Sequence, residues 1–394
     1  MINTIKQLTE SIYPDLISIR RHIHANPELS YQEYNTMNFV AAELDKLAVP
    51  YTKGVAGTGL VALIEGLHPE KKCIALRADM DALPILEAND IDYKSRNEGV
   101  MHACGHDVHT TCLLGAARIL MQQKDNFEGT IKLIFQPGEE KSPGGASLMI
   151  AAGALENPKP EAIFGLHVYP QLPAGTVGFR SGQYMASADE IYITVKGKGG
   201  HAALPQQTVD PIAVTAMIIT GLQQLVSRKS NPLSPTVLTF GKIQGGATTN
   251  VIPETVELMG TLRTFDETWR KEAIEHIKTM TIHIAQAYGA EAIIHIPEGY
   301  PSLFNDPQTT EAARIFAQEY LGNEKVHDLE MRMGAEDFSF YTLHTKGCFF
   351  RIGTNRNNEA FTLPVHNSRF NIDEEALKIG AGTMSYIALN MMKS

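Results

Sequence analysis

Residues 101–109, MHACGHDVH, place three histidines, a cysteine and an aspartate within nine positions. Thiol, imidazole and carboxylate are the side chains that hold transition-metal ions. Cys104 and His106 are separated only by Gly105. On a helix that spacing turns two side chains away from each other, so a ligand pair here requires a turn or extended backbone, which Gly105 permits. Asp107 is a residue of N-cap type for the helix that follows. A helix beginning there would lower the pKa of a nearby thiol, favouring the thiolate that binds metal. The plainer alternative is a polar loop with a buried cysteine.

Other segments tip the balance. Asp79 and Asp81 close the apolar run CIALRADMDA, Glu139 and Glu140 follow TIKLIFQP, and His167 closes EAIFGLHV. Asp79 and Asp81 would share one face of an extended strand. Adjacent glutamates in extended backbone diverge, so one can ligate metal while the other faces a substrate. Each feature has an ordinary alternative: two capping acids, a solvated acidic turn, a core histidine. His366 in LPVHNSRF is equally ambiguous by itself. The recurrence of acids, imidazoles and a thiol at strand ends is the stronger signal, because open α/β sheets bind ligands beyond the carboxyl ends of their strands. His102 and His109 have no independent argument.

The elements that must position these groups are short apolar strands alternating with helices such as VHTTCLLGAARILMQQ. That alternation predicts an α/β fold, a mostly parallel sheet flanked by helices. Between DEIYITVKGKGG and EAIIHIPEG the order becomes β-α-β-β-α-β, the ferredoxin-like arrangement, large enough for its own α+β domain. The alternating style returns afterwards. The expected organisation is therefore a catalytic domain at 1–184 and 298–394, with a lid or dimerisation domain inserted at 185–297.

RADMDALP, HACGHD, QPGEE, GLHV, GKGGHAALP, NVIP, GTLRTF and GAEDFS occur in the order seen in the aminoacylase-like dinuclear metallopeptidases, which the chain resembles over nearly its whole length. It is most similar to the amidohydrolase branch, with its hippurate and indole-acetyl-amino-acid hydrolases and N-acetyl-diaminopimelate deacetylases. The resemblance implies a zinc-exopeptidase-like fold and two divalent ions (Zn, Mn, Co or Ni) held by Cys104, His106, Glu140, His167 and His366. It implies Glu139 as general base and Asp81 as the acid that orients a ligand or tunes the site. Histidine is usual in the wider superfamily where Asp79 stands, which leaves the bridging ligand open. Ser368 and Asn371 replace the branch's usual proline and aspartate, an expected change in the pocket wall. The implied reaction is hydrolysis of N-acyl amino acids, with a dipeptidase or carboxypeptidase as the alternative and a non-catalytic binding protein as a third class.

A substrate carboxylate would need a polar or cationic receptor, for which Asn250 and Arg263 are the candidates in the inserted domain. Locally, His201 in VKGKGGHAALP reads as an exposed turn histidine; the resemblance implies an oxyanion donor over the active site. A homodimer through the inserted domain, with His201 reaching the partner's metals, is the expected assembly.

Composition bounds the rest. A length of 394 residues implies two domains, and 43% hydrophobic with 20% charged residues is a globular balance. The net charge of −10 argues against nucleic acid. No apolar run reaches membrane-spanning length, the N-terminus lacks an apolar targeting core, and four scattered cysteines suit a reducing cytoplasm. The expected partner is a small molecule. The glycine turns lack phosphate-loop context.

Overall fold

The computed structural model describes residues 1–355 and 363–393. The chain divides into two compact units, one of Met1–Gly182, Phe304–Glu330 and Asp337–Ser394, the other of Gln183–Leu303 and Met331–Glu336. The second unit thus begins two residues before the expected 185, runs past 297, and takes back a short later segment.

The first unit is built on an eight-stranded sheet in the order Tyr51–Val55, Gly59–Glu65, Thr130–Gln136, Cys73–Asp79, Ala162–Pro173, Lys346–Asn355, Val177–Phe179 and Val326–Asp328. Its four consecutive strands from Thr130–Gln136 to Lys346–Asn355 run parallel. Every residue of Cys73–Asp79 and Thr130–Gln136 is buried, so these strands read as nearly unbroken apolar runs. The exceptions are matched: Lys132 Nζ donates to the carbonyls of Ala154 and Glu156 at 3.0 and 2.6 Å. Helix His106–Met121 is buried almost all round. Its Leu113 and Leu120 share a core with Leu16 and Ile23 of helix Ile2–Ala25 and with Leu377 and Met384 of helix Glu375–Met391. Burying one such side chain stabilises by about 1.5–3 kcal/mol. His167 does not close its strand as expected; it sits inside Ala162–Pro173, which continues because it pairs with Lys346–Asn355.

The second unit carries a four-stranded antiparallel sheet in the order Thr236–Gln244, Thr255–Thr264, Asp189–Lys196 and Glu291–His295. Helices Pro211–Gln224 and Glu267–Ala287 begin at aspartate caps, Asp210 and Asp266, each accepting two backbone N–H groups. Val214, Ile218 and Leu222 from the first helix and Ala273 and Ile277 from the second meet Ile191, Ile193, Leu258 and Leu262 of the sheet. Among the described residues no helix is long and apolar enough to cross a membrane.

One buried ion pair stands out in this small core. Arg270 Nε and Nη2 each donate to Asp189 at 2.7 Å, and Nη2 also donates to the Gly299 carbonyl at 2.9 Å. Asp189 is only 1% exposed. Removing one partner of such a pair strands a charge, whereas replacing both does not. Arg270→Met should destabilise the second unit by about 3–5 kcal/mol. The double variant Arg270→Met/Asp189→Leu should lose less, as urea unfolding will show.

Candidate metal centre

Three parallel strands deliver the acids and His167, the turn into helix His106–Met121 delivers Cys104 and His106, and an irregular segment delivers His366. Gly105 has φ +84°, and a Cβ there would meet Val168 Cγ2 at 2.6 Å. Only glycine fits the left-handed turn that sets Cys104 beside His106. The helix starts at His106 with Gly105 in the cap position and no side-chain cap. Asp107 is therefore not the N-cap; its carboxylate turns inward to Arg20 and His24 at 2.9 and 2.8 Å, because buried cations outcompete the helix end.

Asp81 organises the loop that follows Thr130–Gln136. Its Oδ1 accepts the Glu139 N–H at 3.0 Å and His106 Nδ1 at 3.1 Å. Its Oδ2 accepts the Glu140 N–H at 3.0 Å and the Ser30 hydroxyl at 2.6 Å. Behind the same loop, Glu33 Oε1 accepts the Gly138 N–H at 2.8 Å and Oε2 the Thr58 hydroxyl at 2.5 Å. Asp79 and Asp81 part company rather than sharing a task. Asp79 accepts His109 Nδ1 at 2.6 Å and Arg77 Nη1 at 2.6 Å.

The imidazoles are prepared at one nitrogen and open at the other. His106 Nδ1 donates to Asp81, and its buried Nε2 has no hydrogen-bond partner. His167 Nδ1 donates to the Val168 carbonyl at 2.8 Å, which turns the Nε2 lone pair to within 3.4 Å of Cys104 Sγ. A carboxylate or carbonyl on the far nitrogen is the arrangement that orients metal-binding histidines. His109 lacks that opening: its Nδ1 serves Asp79 and its Nε2 accepts the Val168 N–H at 2.9 Å. His102 is buried with no partner at either nitrogen and belongs to none of the groups able to hold an ion.

Among the described residues, overlapping groups of this kind include Cys104, His106 and His167; Cys104, Glu140 and His366; His106, Glu139 and Glu140; a further one, Asp79, His106 and His109, shares His106. Cys104 is common to the first two. Glu140 Oε1 has no hydrogen-bond partner, lies 3.2 Å from His366 Nε2 and 3.9 Å from His106 Nε2. Glu139 Oε2 is 4.0 Å from the same His106 nitrogen, so the adjacent glutamates do not diverge; the Asp81 bonds to both backbone N–H groups curl the loop. The Asp337 N–H donates to Glu139 Oε1 at 3.5 Å. His366 adopts φ +66°, a conformation that costs a non-glycine residue about 1–3 kcal/mol and persists only where the surroundings impose it.

The electrostatics call for a cation. Burial opposes a charge on His106, yet Asp79 and Asp81 raise its pKa to about 10. Burial, then the carboxylates of Glu140 and Glu139, push the Cys104 thiol well up, contrary to the lowering expected from the helix end. Burial and Arg351 keep His167 well below the usual imidazole range, hence neutral. Sulfur, nitrogen and oxygen donors with orphaned buried atoms among carboxylates fit divalent ions.

In the second unit, Val251 pairs with His201, and the Ala202 N–H donates to the Asn250 carbonyl at 3.0 Å, so the exposed His201 and Asn250 are neighbours. Arg263 lies elsewhere, half-buried opposite Val237. Ser30, Glu33 and Asp337 carry no local signal of their supporting roles, whereas Arg77, an arginine inside the apolar run CIALRAD, is the one feature that could have pointed to such a role.

The family model for the peptidase family M20/M25/M40 matches residues 75–390. Thermostable carboxypeptidase 2 of Saccharolobus solfataricus is 38% identical over 392 residues, covering 99% of this chain and 98% of its own. An N-acetylcysteine deacetylase of Bacillus subtilis is 39% identical over 390 residues, with 98% and 99% covered. A solved Bacillus subtilis structure, a dinuclear metal-binding peptidase of the M20 family, matches with TM-score 0.84 and 36% identity over 98% of this chain and 99% of its own.

Because Cys104 is common to two groups, Cys104→Ala should weaken both metal equivalents by more than about tenfold. His366→Ala should spare the ion nearest His106 and His167. Elemental analysis after dialysis against metal-free buffer distinguishes the two patterns.

Proposed function

The chain belongs to the peptidase family M20/M25/M40 and is a metal-dependent amide hydrolase, and from that premise we propose that it removes the acyl group from N-acyl amino acids. The observation that carries the reading is the overlap of the Cys104–His106–His167 and Cys104–Glu140–His366 groups beside a second glutamate, Glu139. In this reading those five residues hold two divalent ions, and Glu139 is the base. The bound ions supply Lewis acidity, which acidifies water and polarises a carbonyl. Glu139 Oε2 accepts the proton of the attacking water and returns it to the leaving nitrogen as the C–N bond breaks. Asp81 holds His106 by Nδ1 and, through two backbone N–H groups, holds the loop that carries the base. His201 donates to the oxyanion, and Asn250 or Arg263 receives the substrate carboxylate. The deacetylase relative supports an N-acyl substrate.

The carboxypeptidase relative favours a second reading, peptide cleavage on the same centre. A panel of N-acetyl, N-benzoyl and indole-acetyl amino acids with dipeptides, run on protein reconstituted separately with Zn²⁺, Mn²⁺, Co²⁺ and Ni²⁺, separates them. Turnover confined to dipeptides overturns the first reading. Chelation should abolish hydrolysis in either case, and full activity in metal-stripped protein would contradict both.

Glu139→Gln should keep both ions and lower kcat by about 10²–10⁴-fold. Glu140→Gln should instead lose metal, and the reverse pattern would exchange the two roles.

A homodimer through the second unit, with His201 acting on the partner's centre, is part of the proposal. His201→Ala should then lower kcat by about 10²–10³-fold. Mixing it with Glu139→Gln under subunit exchange should restore roughly a quarter of wild-type activity, since half the dimers would carry one intact centre of two. Exchange without recovery places His201 in its own subunit's reaction or in none.

A further inference from the structure

His366 lies on an irregular segment with no strand or helix to fix it, yet its backbone is held in the left-handed region. Five hydrogen bonds to other segments hold it, one of them from Asn371 Nδ2 to the Tyr93 hydroxyl at 3.2 Å. The His366 N–H donates to the Ala103 carbonyl at 2.7 Å and the Ala88 N–H to the Ser368 carbonyl at 2.8 Å. Asn89 Nδ2 donates to the Phe370 carbonyl at 3.1 Å, and Arg20 Nη2 to Asn371 Oδ1 at 3.0 Å. Asn371, half-buried, is therefore tied into a network that reaches the buried Arg20.

Arg20 is fully buried and joins two segments that carry proposed ligands. Its Nε donates to Asp107 Oδ2 at 2.9 Å, one residue after His106, while Nη2 holds Asn371 on the His366 segment. Asp107 Oδ2 also accepts His24 Nδ1 at 2.8 Å, and His24 Nε2 lies 3.2 Å from Glu87 Oε1. Glu87 in turn accepts Asn89 Nδ2 at 2.9 Å, the side chain that reaches Phe370. The ring of contacts closes around the ligand helix, the His366 segment and the first helix. A planar guanidinium sets two partners at a fixed angle, which lysine cannot do. The two arms are unequal: Asp107 is a carboxylate, Asn371 is a neutral amide, and Arg20 Nη1 has no hydrogen-bond partner, with Glu374 Oε1 3.7 Å away.

We propose that Arg20 is a positioning residue for the metal centre, fixing His366 relative to Cys104 and His106 through its contact with Asn371. This rests on the proposed assignment of Cys104, Glu140 and His366 to one ion. The Arg20–Asn371 contact bears on that ion, whereas the Arg20–Asp107 contact bears on the helix that begins at His106.

Arg20 variants would strand Asp107, so Asn371 is the place to test it. Metal-stripped full-length protein is titrated with Co²⁺, following the visible bands and the thiolate charge-transfer band, with thermal midpoints measured alongside. Asn371→Leu should leave the tighter equivalent within about twofold and weaken the second about tenfold, the lower end for loss of a ligand's supporting contact. Asn371→Asp, which offers Arg20 a charge-assisted bond, should bind the second equivalent more tightly than wild type. His366→Ala should lose the second equivalent. A lowered thermal midpoint with both equivalents unchanged would make Asn371 merely structural and overturn the proposal, as would equal weakening of both. An Asn371→Asp variant titrating like wild type counts against it even if Asn371→Leu does not fold. If His366→Ala keeps both equivalents, the ligand assignment itself fails and the proposal falls with it.

Discussion

A buried carboxylate can accept about four hydrogen bonds, and Asp81 uses that capacity in full. Three of its partners bear directly on chemistry: the imidazole of His106 and the backbone of both glutamates. The fourth, Ser30, ties the group to the segment after the first helix. Burial raises the energy of the ionised form, but the His106 and Ser30 bonds and the loop N–H groups hold Asp81 below its ordinary pKa. This one anion couples the orientation of the His106 ring to that of the acidic loop.

Around it the interior is unusually charged, and the charges fall into two tiers. Asp79, Arg77, Gln136 and Asp337 are linked behind the centre; Arg77 Nη2 donates to Asp337 at 2.7 Å and Nε to Gln136 at 2.8 Å. Each of these groups has a hydrogen-bond partner. In front, His106 Nε2 and Glu140 Oε1 are left without hydrogen bonds. A matched rear tier supporting an unmatched front tier is what a preorganised binding site requires, since the supporting groups do not need to rearrange when a ligand arrives.

Much of this was readable from local pattern. The buried parallel strands announced themselves as apolar runs, and the polar residues at or beyond their ends marked the edge where the centre lies. Gly105 was correctly read as the residue that permits the turn. What local pattern could not reach were contacts between distant segments. Asp107 has the composition of a helix cap, but Arg20 and His24, more than eighty residues earlier, claim it instead. Asp337 and Gln136 meet across a sequence separation of 201 residues, and nothing in either neighbourhood signals it. The helix Glu375–Met391 has no counterpart among the expected elements; it is buried on nearly every side, like the helix His106–Met121. The extension of the His167 strand came from its pairing with Lys346–Asn355, a partner far along the chain.

The order in which the two units finish folding follows from the way the chain is divided between them. The second unit's four-stranded sheet is complete in one continuous stretch, Gln183–Leu303. The first unit's sheet is not: the strand Lys346–Asn355 lies between Ala162–Pro173 and Val177–Phe179, and it is made long after both. During synthesis the second unit's sheet is thus complete before the first unit's. The first 182 residues carry an open strand edge until Lys346–Asn355 is made, and an unpaired edge is exposed to aggregation.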